Sequence, residues 1–300
     1  AATLRGRVTD PNGKPIAGAQ VWAAFGLMTA LQEGVRSTRT DADGRYAITD
    51  MGASLPDDFK PRPIGKNLIA MGSWVPFDVL HPDYGHERPM YSRIPATVDV
   101  VLRPAGIVEG KVIDQVTGKP AAGVLVGLST TSASRKNIGK GARTDASGKY
   151  RFLSLPAAKY NLRAEAPDRT CIALDSFAVE AGKTYTAPDL ALIEGGWIEG
   201  RVVDAETGKP LSGRVKGWPL TVGLYGPSRP RSGSECQSCR VDDRGRFRLR
   251  VAPGTNYPYI MSGDYWERTE GRESFEKGVE VKAGQVLRVT FRVLPAHPEP

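Results

Sequence analysis

The 300-residue sequence predicts an all-β chain of three tandem antiparallel β-sandwich domains, and three observations carry that expectation. A ten-residue phrase, RTDADGRYAI from Arg39, returns as RTDASGKYRF from Arg143 and RVDDRGRFRL from Arg240. A second phrase, GRVTDPNGKPIAG from Gly6, returns as GKVIDQVTGKPAAG from Gly110 and GRVVDAETGKPLSG from Gly200. Between the phrases, Gly and Pro recur at turn spacing and no stretch sustains a helical period, which favours short strands packed as sandwiches.

The Gly6-type phrase opens each copy and reads as strand, turn, strand. Leu4, Gly6 and Val8 correspond to Val108, Gly110 and Val112 and to Ile198, Gly200 and Val202, so one face is apolar or small while the other carries residues such as Arg5 and Arg7. The Gly-Lys-Pro that follows is turn chemistry. In the second phrase Asp41, Asp145 and Asp242 each stand three residues before Gly44, Gly148 and Gly245. An Asp there can accept from turn N–H groups, and glycine supplies a positive φ. Tyr46 and Ile48, Tyr150 and Phe152, and Phe247 and Leu249 then share one face of a strand, completing a hairpin signal. The third copy has seven more residues between Gly200 and Asp242 than its counterparts, which places a longer loop around PSRPRSGSECQSC. Arg214 and Lys216 follow Gly213 where Val124 and Val126 follow Gly123, so a bulge or a different edge is expected there.

Each copy is about a domain long, and boundaries are expected at 1–104, 105–194 and 195–300. The junctions Arg103-Pro104-Ala105-Gly106 and Glu194-Gly195-Gly196 are short, so neighbours should touch. The first copy departs most, with an insertion from about Gly52 to Ile94 around NLIAMGSW.

Together, G-[RK]-V-x-D-x(2,3)-G-K-P-x-x-G and [RT]-x-D-x-x-G-x-[YF], followed in the second copy by LPAAKYNLRAEAP and VEAGKTYTAPDLAL, resemble the carboxypeptidase regulatory-like domain over nearly the whole chain. The resemblance implies a transthyretin-like (prealbumin-like, Ig-like) seven-stranded sandwich with an accessory role, because such domains sit beside peptidases, receptors, sugar-active enzymes and adhesins. Related starch-binding-like sandwiches bind carbohydrate, so carbohydrate or another cell-envelope component is the partner it implies.

Forty-one Lys and Arg against 33 Asp and Glu give a net charge of +8, which favours anionic partners such as acidic polysaccharide or lipid headgroups. The charges are scattered along strand positions, the pattern of a solvated basic surface. No helix-turn-helix, zinc-finger or RNP phrase occurs, so nucleic acid is not an expected partner. No apolar run approaches the ~18–20 residues of a membrane span. The given chain opens at AATLRG without a charged and apolar leader, and the resemblance to exported domains implies a periplasmic or cell-surface location.

The most reactive-looking patch, HPDYGHERPMYS, gathers His81, Asp83, Tyr84, His86, Glu87 and Tyr91. Intradiol dioxygenases resemble this fold and hold iron with two Tyr and two His, but His81 and His86 do not form their H-x-H pair and the other copies have no counterpart. The H-x-x-E pair of zinc carboxypeptidases and a G-x-S-x-G elbow are also missing. No catalytic residue, metal or cofactor is expected. Cys236 and Cys239 lie in the long loop of copy three, where a local disulfide is favoured over free thiols; a zinc site would need two more ligands. Cys171 reads as a small buried side chain.

Flat rings stack on sugar faces while polar neighbours orient the hydroxyls. Trp74, Tyr84 and Tyr91, with His81 and Arg88 beside them, are the ligand candidates in the insertion, and Tyr265 and Trp266 are those of copy three. For each ring a place in the core or at a strand edge is the more ordinary reading. The sequence thus predicts a non-catalytic extracytoplasmic interaction or scaffold protein, with carbohydrate as the candidate ligand. The alternative is a spacer or sensor ectodomain of a longer envelope peptidase or receptor, and a dioxygenase-like metal enzyme is the remote one.

Overall fold

The computed structural model describes residues 2–25, 34–51, 75–88, 90–91, 96–131, 139–167, 169–211, 214–215, 218–229, 237–261, 269–270 and 277–293. Its elements are β-strands, and the chain divides into two compact units. One comprises Ala1–Val108, Phe152–Ala158 and Val179–Tyr185; the other comprises Glu109–Arg151, Lys159–Ala178 and Thr186–Pro300.

In the first unit, β1 (Ala2–Thr9), β2 (Gln20–Phe25), β3 (Gly34–Arg39) and β4 (Arg45–Met51) precede β5 (Val75–His81), β6 (Tyr84–Glu87), β7 (Met90–Tyr91), β8 (Ala96–Thr97) and β9 (Val100–Val101). They form two sheets, β4-β1-β8 with β9 also on β1, and β3-β2-β5-β6 with β7 on β5. Leu4, Val8, Val21, Ile48, Phe77 and Val79 alternate inward from both sheets and share one buried core. Gly6 sits opposite Tyr46, and a Cβ there would lie 1.7 Å from the Val98 carbonyl oxygen, so only glycine lets the returning chain close against β1. Residues 75–88 and 90–91, assigned from sequence to the insertion, are strands of the second sheet. The departure from the repeat is therefore narrower than the sequence suggested.

The same order recurs downstream. Strands β10 (Gly106–Asp114), β11 (Leu125–Thr130), β12 (Gly139–Arg143), β13 (Lys149–Leu155), β14 (Ala158–Glu165), β15 (Leu174–Val179), β16 (Thr184–Thr186) and β17 (Leu190–Leu192) give sheets β13-β10-β16, with β17 on β10, and β12-β11-β14-β15. Beyond them come β18 (Gly196–Asp204), β19 (Arg214–Val215), β20 (Trp218–Pro219), β21 (Thr221–Tyr225), β22 (Gln237–Arg240), β23 (Arg246–Val251), β24 (Gly254–Met261), β25 (Thr269–Glu270), β26 (Val279–Val281) and β27 (Val286–Val293). Their sheets are β23-β18-β27-β25 and β22-β21-β24-β26, with a separate β19-β20 pair. Ile198, Val202, Val222, Leu224, Phe247 and Phe291 fill the core between them. Gly200 repeats the device of Gly6, since a Cβ there would lie 1.8 Å from the Val289 carbonyl oxygen of the parallel neighbour.

The repeated turn has one geometry in all three places. Asp41 Oδ1 accepts from the N–H groups of Asp43 and Arg45, Asp145 Oδ1 from Ser147 and Lys149, and Asp242 Oδ1 from Arg244 and Arg246. Gly44, Gly148 and Gly245 have φ of 73°, 75° and 73°, and each carbonyl accepts from the first strand, at Val8, Val112 and Val202. Hydrogen bonds from the Lys149 and Arg246 backbones lead the effects that hold the Asp145 and Asp242 carboxyls below their ordinary range.

The residue before that Asp differs. Thr40 Oγ1 accepts from Ala19 N and donates to the Ile16 carbonyl; Thr144 Oγ1 does the same with Val124 N and Ala121 O. The third copy has Val241 there, whose N–H donates to the Leu220 carbonyl and whose side chain joins the core.

Candidate functional site

The HPDYGHER stretch folds as the β5–β6 hairpin because alternating residues of β5 are apolar and face the core. Phe77 and Val79 are fully buried, and Phe77 stacks on Tyr46 with centroids 5.9 Å apart. Asp78 points the other way yet is only 3% exposed. Its Oδ1 lies 2.5 Å from His86 Nε2 and accepts from Arg88 Nε at 2.8 Å. Burial works to raise the Asp78 carboxyl, but the hydrogen bonds and charges of His86 and Arg88 outweigh it, and the net shift is downward. A buried carboxylate is stable only with such partners.

His81 is turned elsewhere. Its Nδ1 accepts from the Asp83 N–H at 3.2 Å, and its ring meets Tyr84 edge-on, centroids 5.1 Å apart. Tyr84 packs against the first core, and its backbone forms a bridge with Pro104. Gly85 donates to the Arg103 carbonyl, and a Cβ on it would lie 2.8 Å from Pro156 Cα, so this bend is closed over by backbone. The two histidines thus belong to separate hydrogen-bond sets. Among the described residues no group of three or more His, Cys, Asp or Glu could hold a metal ion.

Of the ligand candidates, the structure brings His81, Tyr84 and Arg88 onto one hairpin, with Arg88 committed to Asp78. Tyr91 lies on β7 opposite Val75. Trp74, Tyr265 and Trp266 fall outside the described residues. Sequence reasoning missed Asp78; the signal was an acidic residue inside the apolar run VPFDVL, followed by a histidine and an arginine eight and ten residues on.

Cys239 carries a free thiol on β22, half-buried against the core of Ile198, Val222 and Phe247, and burial pushes its pKa up. The other end of the expected disulfide, Cys236, falls outside the described residues. Cys171 is fully buried, its sulfur accepting from Ala164 N and donating to Ala164 O, and burial raises that thiol too. A raised thiol pKa leaves little of the nucleophilic thiolate.

The Gly6 closure and the Asp41 and Asp145 turns lie in segments with family similarity. The family described as carboxypeptidase regulatory-like domain matches residues 3–55 and 107–192. In those two segments the chain matches that domain. In both regulatory-like segments the match begins in the first strand and runs past the Asp turn. No curated protein matches the chain in sequence. Among solved structures, the Bacillus anthracis TIE protein is 13% identical at a TM-score of 0.27, covering 97% of this chain; the chain spans 50% of that protein's length. The minor pilin of Streptococcus agalactiae is 16% identical at a TM-score of 0.27, covering 64% of this chain and 97% of its own. The shaft pilin SpaA of Lactobacillus rhamnosus GG is 10% identical at a TM-score of 0.28, covering 63% of this chain and 95% of its own.

Proposed function

We propose that the chain is a non-catalytic interaction or scaffold protein of the cell exterior, built of three β-sandwich domains at 1–104, 105–194 and 195–300. The observation that carries this reading is the fate of its most reactive-looking patch. The Asp78 carboxylate is engaged by His86 and Arg88 inside a sheet, and His81 accepts from its own turn, so these groups serve the hairpin. The repeated phrases, by contrast, are spent on architecture, closing a strand or shaping a turn. The matched family supports an accessory role, and the strand order of 195–300 supports a third copy beyond the matched segments.

Carbohydrate of the envelope is the proposed ligand class, with Trp74, Tyr91, Tyr265 and Trp266 as proposed ring contacts. The test is to incubate the full chain with peptide, ester, phosphoester and catechol substrates, and in parallel with a broad glycan panel. No turnover above buffer is expected. Turnover that disappears in His81→Ala or His86→Ala would overturn the reading, as would fractionation of cells expressing the whole gene that found the protein in the cytoplasm.

A further inference from the structure

We propose that the outer face of the β23-β18-β27 sheet is a binding site for a polyanionic polysaccharide. This rests on the interaction-protein reading and gives it a second contact surface, separate from the aromatic candidates. A groove of 690 Å³ there is lined by Arg201, Arg246, Arg248 and Arg288 of this sheet and by Arg240 at the end of β22 in the other sheet, against two carboxylates, Glu199 and Asp242.

Both carboxylates are already engaged. Asp242 accepts from two turn N–H groups and from Arg246 Nε at 2.8 Å, while Glu199 is shared between Arg288 at 3.1 Å and Arg248 at 3.6 Å. Arg201 and Arg240 have no carboxylate partner among the described residues, so positive charge is in excess at the groove. On the corresponding face of the first unit three arginines, Arg5, Arg7 and Arg45, stand with two carboxylates, Asp43 and Asp99, a smaller excess. There Arg45 pairs with Asp43 at 3.3 Å, Arg7 Nε donates to the Asp43 carbonyl, and Asp99 accepts from the Arg7 backbone.

The geometry selects the ligand. In the register Arg201 is opposite Arg246, and Glu199 lies between Arg248 and Arg288, which sets guanidiniums on a sheet lattice of about 4.8 Å across strands and about 6.7 Å along them. Side chains of Arg246 and Arg248 are 54% exposed and that of Arg288 is 83% exposed, so they meet a ligand laid across them rather than enclose a small ion. Each planar fork can take a carboxylate or sulfate through paired N–H donors. The floor is flat where Gly200 lacks a side chain, so an extended chain can lie across the strands. Trp197 does not present an open stacking platform, because Arg248 and Arg250 cover its ring at 3.9 and 4.4 Å from the centroid. Single-stranded nucleic acid relies on such open platforms. Repeated anions on a sugar chain therefore fit this face better than stacked bases.

The test measures binding of the full chain to polygalacturonate, dextran sulfate, neutral dextran and a thymidine 20-mer at low and physiological salt. Both acidic polysaccharides should bind, neutral dextran should not, and affinity should fall by roughly ten-fold or more as salt rises from about 50 to about 200 mM, as counterion release requires. A preference between the two acidic polymers assigns sulfate or carboxylate as the natural anion. R201Q/R240Q should weaken binding at least about ten-fold with an unchanged melt, whereas R201K/R240K should keep most of it and R5Q/R45Q, which removes equal charge from the first unit, should change it less than about three-fold. Equal losses in R5Q/R45Q and R201Q/R240Q, equal binding of neutral dextran, or tighter binding of the thymidine 20-mer would overturn the proposal. Failure of all four polymers to bind would remove this site and leave the non-catalytic reading, which stands on the turnover test.

Discussion

Charged side chains in the β5–β6 hairpin and on the β23-β18-β27 face follow opposite rules. In the hairpin, Asp78, His86 and Arg88 form a matched set around a carboxylate that is 3% exposed. Around the groove five arginines outnumber two carboxylates and remain in solvent. Removing water makes an unpaired charge costly, so the buried carboxylate must be partnered; the exposed arginines have no such requirement, and their excess is free to serve binding. The difference teaches that the patch richest in reactive residue types is the one whose charged groups are engaged with each other.

The largest effect that tests the contrast is Asp78→Ala. It leaves His86 and Arg88 facing a void in the hairpin and should destabilise the first unit by about 3 kcal/mol, read as a lower denaturant midpoint. A change below about 0.5 kcal/mol would place Asp78 among ordinary surface residues and erase the distinction.

Gly148→Val should come next, at about 2 kcal/mol. The turn holds φ at 75°, which a β-branched residue tolerates poorly, and a Cβ would lie 2.6 Å from the Val112 carbonyl oxygen. Gly245→Val should match it, with its Cβ 2.8 Å from the Val202 oxygen. An unequal pair would show that the turns, like the charges, differ between copies.

A pH series sharpens the hairpin side. The folded Asp78 carboxyl lies below its ordinary value, so its contribution is fully present above the ordinary value and is lost as pH falls through the lower folded pKa. Denaturant midpoints of the wild type should therefore fall toward Asp78→Asn as the pH is lowered from about 5 to about 2. Parallel curves over that window would mean the carboxylate carries no linked stability.

The smallest effect is expected on the other side of the comparison. R201Q/R240Q should shift stability by less than about 0.5 kcal/mol, because both side chains are exposed and without carboxylate partners among the described residues. A larger loss, seen by thermal melting, would make those arginines structural as well.

The sequence by itself determined the local chemistry. Asp41, Asp145 and Asp242 shape their turns through hydrogen bonds to residues two and four positions on, a range the sequence displays directly. Strand alternation around Tyr46, Tyr150 and Phe247 was legible for the same reason, as was the family resemblance those phrases carry. What only the tertiary structure decided depends on residues far apart in the chain. Gly6 and Gly200 looked like ordinary members of an apolar face until the Val98 and Val289 carbonyls closed on them. Residues 75–91 looked inserted until β5 paired with β2. Asp78 gained its meaning from a bend that returns His86 and Arg88 to it. The arginine face arose when β23 and β27 took opposite sides of β18, bringing Arg246, Arg201 and Arg288 together on one sheet. Register fixes which side chains become neighbours across strands, and that pairing is set by the burial of the whole core.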